Sequence, residues 1–143
     1  MRSGSPRGMD EYRRFGLESQ VANASPHELV QLMLDGAAAR VAAARSAVEA
    51  GETALKGLLI GKAIGLVEGL RASLDAQRGG ELAAHLAALY DYIARRLLEA
   101  NLRSDVAILD EVADLLRELQ AGWREVGRVV AAQGGLAAEA AAR

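Results

Sequence analysis

The chain has 143 residues, 17 Lys and Arg against 19 Asp and Glu, no Cys and 2 Pro, which is the length of one ordinary domain. A formal net charge of −2 supplies no basic field for gripping a phosphate backbone, and the lack of Cys excludes disulfide scaffolds, thiolate catalysis and Cys-type zinc sites. Hydrophobic residues make up 51% but aromatics only 3%, so Ala, Leu, Val and Ile must build the core, a mix that favours helix over strand.

The opening stretch from Met1 to Gly8 has no apolar centre, and charge interrupts every later apolar run. Neither a signal peptide nor membrane insertion is expected, and the protein is placed in the cytoplasm. Met9 is a second candidate start, which would make the residues before it an extension.

Residues 1–24 read as an N-terminal arm in which Met9, Tyr12 and Phe15 recur three apart, too short for a stable helix alone but suited to docking. Ser25-Pro26-His27-Glu28 then starts a helix: Ser25 caps it, Pro26 suits its first position and Glu28 reaches back to the cap. Leu29, Val30, Met33, Ala37, Val41, Ala44 and Val48 form its apolar stripe, and Gly51 stops it. A second helix from Thr53 to Leu74 carries Leu59, Ala63, Leu66, Val67, Leu70 and Leu74 along one face, and Gly79-Gly80 marks the following turn.

The third helix presents Leu82, Leu86, Leu89, Tyr90, Ile93, Leu97 and Ala100 inward and stops near Asn101. After Ser104 or Asp105 as a cap, the longest helix keeps Ile108, Val112, Leu115, Leu116, Leu119, Trp123, Val126 and Val130 in one sector. From Gln133 the Ala-rich tail has little to bury and is expected to fray. Short connections make neighbouring helices antiparallel, so the reading is all-α: an up-down-up-down four-helix bundle over residues 25–132, flanked by the arm and a tail at 133–143.

Chemistry-bearing residues are sparse. His27 and His85 are the only imidazoles, and Glu81 with His85 at spacing four reads as a solvated helix pair, not a metal site. No phosphate-binding glycine loop and no nucleophile elbow occurs, so no enzyme, cofactor or metal is expected.

The second helix is the oddity. Gly57, Gly61, Gly65 and Gly69 are spaced by four, each costing about 0.8–1 kcal/mol against Ala in a helix interior. A helical wheel puts Ile60 and Ile64 on a flank outside its core stripe, with only Lys56, Lys62, Glu68, Arg71 and Ser73 breaking the apolar surface. Surplus apolar surface invites a partner, and an arm bearing Tyr12 and Phe15 is one candidate cover. Tyr92 falls at the edge of the third stripe beside Arg95 and Arg96, for which pairing with Asp91 and Glu99 is the simplest expectation; Trp123 is expected in the core.

Ala24-Ser25-Pro26-His27-Glu28-Leu29-Val30, Leu34-Asp35-Gly36-Ala37, Gly79-Gly80-Glu81-Leu82, Leu89-Tyr90-Asp91-Tyr92, Arg95-Arg96-Leu97, Asn101, Asp105-Val106, Ile108-Leu109-Asp110-Glu111-Val112 and Leu115-Leu116-Arg117-Glu118-Leu119 with Trp123 follow one another in a collinear order. In this order the chain, over about residues 10 to 126, resembles the flagellin export chaperone family, FliS. The resemblance implies a cytoplasmic bundle that holds the disordered C-terminal segment of flagellin, prevents its premature polymerisation and hands it to the flagellar export gate. It also implies a groove formed by Ile60, Ile64, Val67, Arg71, Tyr92 and Arg96, covered when empty by the arm through Tyr12 and Phe15. The family's second-helix pattern has polar residues where this chain has Gly65 and Gly69. The competing expectation is a structural bundle that self-associates as a homodimer through its second helix, with no secreted client.

Overall fold

The computed structural model describes residues 23–142, with no account of the side chains at 76–78 and 135–142; the expected arm with Tyr12 and Phe15 lies outside the described residues. Four helices follow in order: α1 (Pro26–Glu49), α2 (Thr53–Ala72), α3 (Ala76–Arg103) and α4 (Val106–Ala142). No strand occurs among the described residues. The chain divides into two units at Val30, and the bundle is built from Gln31 onward.

The helix ends follow local chemistry. Ser25 Oγ accepts the Glu28 backbone N–H at 3.1 Å, and Asp105 Oδ1 accepts that of Ala107 at 2.9 Å, so Asp105 caps α4. Gly51 at φ +72° closes α1, its own N–H reaching Val48 O at 3.1 Å and that of Glu52 reaching Ala47 O at 2.8 Å. Ser104 closes α3 in the same left-handed conformation at φ 50°, a position where a side chain is strained. Gly80 (φ 54°, ψ −128°) interrupts α3 near its start, so the regular part of that helix begins after the expected Gly-Gly turn.

Pairs of touching residues fix the directions. Between α1 and α2, a Cβ at Gly36 would stand 3.1 Å from Leu66 and one at Gly69 2.5 Å from the Met33 methyl, so the residue numbers run in opposite senses. Lys56 meets Asn101 while Arg71 meets Asp91, which makes α2 and α3 antiparallel. Arg45 bonds Asp110 and Asp35 bonds Gln120, so α4 returns antiparallel along α1 and closes the ring. The close approach at Gly69 also gives one of the regularly spaced glycines a packing reason, whereas Cβ atoms at Gly61 and Gly65 would meet nothing within 4 Å.

The core consists of Leu34, Ala37, Val41, Ala44 and Ala47 of α1, Ile60, Ala63, Val67 and Leu70 of α2, Tyr90, Ile93, Leu97 and Ala100 of α3, and Ile108, Leu109, Val112 and Leu116 of α4, all buried. Two expectations are corrected here. In α1 the stripe includes Leu34, while Met33 and Val48 are half-buried. In α2 the inward line runs through Lys56, Ile60, Ala63, Val67 and Leu70, so Ile60, assigned to an outer flank, is 0% exposed and Leu59 and Leu66 move to the half-buried edge. Leu66 lies at the α1 edge of this line, where its side chain would meet a Cβ at Gly36, so the apolar period of α2 extends past its buried face toward α1.

Lys56, expected as a polar break in the apolar surface of α2, is 6% exposed. Its ammonium donates to Asn101 O and to Ser104 Oγ, both at 2.8 Å, placing a positive charge against the C-terminal carbonyls of α3. The Lys56→Met variant keeps the buried stem but strands these acceptors, and is expected to cost about 1–3 kcal/mol in urea denaturation. An unchanged midpoint would show that water replaces the ammonium without loss.

Candidate functional site

Burial is uneven along the bundle. α2 spans 20 residues and α4 37, so on a rise of about 1.5 Å per residue the apolar stripe of α4 outruns the helix that should help to cover it. The result is an open apolar cleft of about 320 Å³ between α3 and α4, floored by Leu34 and Tyr90 and walled by Leu82, Leu86 and Leu89 on one side and Leu115, Leu119, Trp123 and Val126 on the other. Glu118 and Gly122 stand on its α4 edge.

Leu82, Leu86, Leu89, Leu115, Leu119, Trp123, Val126 and Val130 are expected to face inward from their periodicity, and that expectation is corrected, whereas Tyr90 is buried as expected. Leu82 is 66% exposed, Val126 44% and Val130 55%, while Leu86, Leu89, Leu115, Leu119 and Trp123 are half-buried. The apolar periodicity was sound, but no fifth element lies over this half of the α3 and α4 stripes among the described residues. The signal available in the sequence was the length of the α4 stripe relative to the second helix. Tyr90 is nearly enclosed, and burial pushes its phenol pKa up.

The residues assigned to the groove divide into separate groups. Ile60 and Val67 are sealed in the core, at 0% and 1% exposed, so neither lines an open surface. Ile64 is half-buried, and Arg71 on the outside of α2 pairs with Asp91 at 2.9 Å. That pair takes the carboxylate expected for Arg95, whose guanidinium instead lies over the Tyr92 ring, 6.0 Å from its centroid.

Tyr92 and Arg96 do meet, on the same seam between α3 and α4 as the cleft. Tyr92 donates its hydroxyl to Glu111 Oε2 at 2.6 Å, and Arg96 donates to Glu111 Oε1 at 2.7 Å and to Glu99 Oε2 at 2.6 Å. The Tyr92 hydrogen bond, followed by the Arg96 bond, lowers the Glu111 pKa, and the same bond to Glu111 raises that of Tyr92. Because the folded pKa of Glu111 is depressed, its contribution to stability is complete above the ordinary Glu value of about 4.3 and fades as pH falls through the lower folded value. Denaturation between about pH 5 and 2 is expected to show a smaller acid loss in Glu111→Gln than in the unmodified chain. Parallel pH curves would contradict this role.

Among the described residues no cluster of His, Cys, Asp and Glu is placed to hold a metal ion, and no helix is long and apolar enough to cross a membrane. The seam offers instead a long apolar track edged by a polar network.

The sequence matches known proteins over most of its length. The sequence model of the family described as "Flagellar protein FliS" matches residues 8–130. The chain is 49% identical over 117 residues to the flagellar secretion chaperone FliSB of Pseudomonas aeruginosa, covering 82% of this chain and 93% of that protein. It is 42% identical over 120 residues to the flagellar secretion chaperone FliS of Salmonella typhimurium, covering 83% and 89%, and 40% identical over 120 residues to that of Escherichia coli K12, covering 83% and 88%. With the family match and these relatives spanning most of its length, the chain belongs to the FliS family.

Proposed function

We propose that the chain is a cytoplasmic, non-enzymatic flagellar secretion chaperone that binds the disordered C-terminal segment of flagellin, keeps it from polymerising early and delivers it to the flagellar export gate. The observation that carries this reading is the open apolar cleft between α3 and α4 in a chain whose relatives are named flagellar secretion chaperones. A disordered client with helix-forming apolar stretches gains burial by folding onto such a track, and the entropy of ordering it keeps the complex reversible.

In this reading the client runs along the α3 and α4 seam, from Leu82 and Val126 toward Tyr92 and Arg96, and Ile64 and Arg71 are reached only if it wraps onto α2. The segment bearing Tyr12 and Phe15 is the proposed competitor for the same surface. Calorimetry with a flagellin C-terminal segment tests the function: saturable binding at one segment per chain is expected, with tighter binding once residues 1–15 are removed. Absence of heat, together with a dimer in sedimentation, would favour the self-associating bundle instead.

A further inference from the structure

Among the described side chains, the carboxylates of α4 are paired within the chain with one exception. Asp110 bonds Arg45, Glu111 bonds Tyr92 and Arg96, Asp114 bonds Arg117, and Glu125 bonds Arg128. Among the described residues Glu118 has no hydrogen-bond or ion-pair partner, and of those residues it is the one carboxylate that lines the cleft. An anion at the rim of an apolar track, unclaimed among the described residues, is complementary to a cation carried in by whatever occupies the track.

The edge next to Glu118 is open to a close approach. Gly122 lies one turn further along α4 on the same side, and a Cβ there would meet nothing within 4 Å. No contact among the described residues accounts for a glycine in that helix interior, where it costs stability relative to Ala. From Leu115 to Val126 the wall runs about 16 Å, room for roughly three turns of a helix whose apolar side chains enter between Leu86 and Leu119.

We infer that the cleft takes an amphipathic helix of the export client that carries a Lys or Arg beside its apolar anchors, seated over Gly122 so that the cation meets Glu118. This rests on the chaperone reading and assigns Glu118 the choice of register and partner, while the leucines and Trp123 supply the affinity. A rim charge of this kind acts mainly through association rate and salt dependence.

The test is calorimetry and stopped-flow binding of a flagellin C-terminal segment to the full chain and to its Glu118→Gln and Glu118→Lys variants. Affinity is expected to fall about two- to threefold for Glu118→Gln and about fivefold or more for Glu118→Lys, with a shallower salt dependence in both. Changing one client Lys or Arg to Glu is expected to restore binding to the Glu118→Lys variant, whereas the same change elsewhere in the segment is not. Unchanged affinity and salt dependence in the variants, with the segment still bound, would overturn the role of Glu118 and leave the chaperone reading standing. Failure of the segment to bind the unmodified chain would overturn both. A dimer of the chain that Glu118→Lys dissociates would put a second copy in the cleft and overturn the client assignment.

Discussion

Replacing Ile60 with Ala is expected to lower folding stability by about 2–5 kcal/mol, the range for deleting a large aliphatic side chain from a packed core. Ile60 has no exposed surface, and its neighbours along the inward line of α2, Ala63 and Val67, are equally enclosed, so little collapse can fill the space. The same change at half-buried Ile64 removes less burial and is expected to cost less than half as much. Urea denaturation reads both, a shift in midpoint at constant slope marking a stability effect. A loss below about 1 kcal/mol at Ile60 would mean that the side chain is not held as the structure has it. The same placement changes what a charged residue at Ile60 would report: it would test folding of the bundle, not docking of a client.

Charging the cleft is expected to have the opposite signature. Leu82 and Val126 line it while being 66% and 44% exposed, so the double variant Leu82→Asp with Val126→Asp should leave folding nearly intact. Affinity for a flagellin C-terminal segment is expected to fall by about 30-fold or more, since each carboxylate must be desolvated as the client's apolar face arrives. Leu58→Asp is the matched control, because Leu58 is 56% exposed on α2 and lies outside the cleft. Equal losses in the control and the double variant would spread the binding surface over the whole bundle and remove the cleft from its centre.

The contrast between these variants shows where the sequence was legible. Helix existence and most ends could be read, because Ser25 and Asp105 cap and Gly51 closes by local chemistry that needs no tertiary partner. The antiparallel bundle also followed from the short connections. Facing was less legible: in α2 nearly every position is apolar or Gly, so the 3.6-residue period carries little contrast, and Ile60 and Lys56 were both placed outside when both are inside. Lys56 enters because α3 ends beside it with carbonyls to satisfy, a relation between residues far apart in the chain.

The cleft was hidden for another reason. A period shows which residues share a face but not whether another element covers that face, and Leu82, Leu86, Leu119 and Trp123 keep perfect helical spacing although the cover stops short of them. The Tyr92, Arg96 and Glu111 network was half legible. Tyr92 was singled out from its position at the edge of a stripe and Arg96 beside it, but Glu111, which joins them, stood in the sequence only as one residue of the Ile108-Leu109-Asp110-Glu111-Val112 motif.

The sequence contains a single Trp, and Trp123 lies half-buried in the wall of the cleft. Its fluorescence, followed during titration with a Trp-lacking flagellin C-terminal segment and alongside calorimetry, therefore reports directly on occupation of the proposed site. A blue shift that saturates with the calorimetric stoichiometry is predicted as the client displaces water from the indole. Saturable binding by calorimetry with no change in Trp123 emission would put the client elsewhere and contradict the assignment of the cleft.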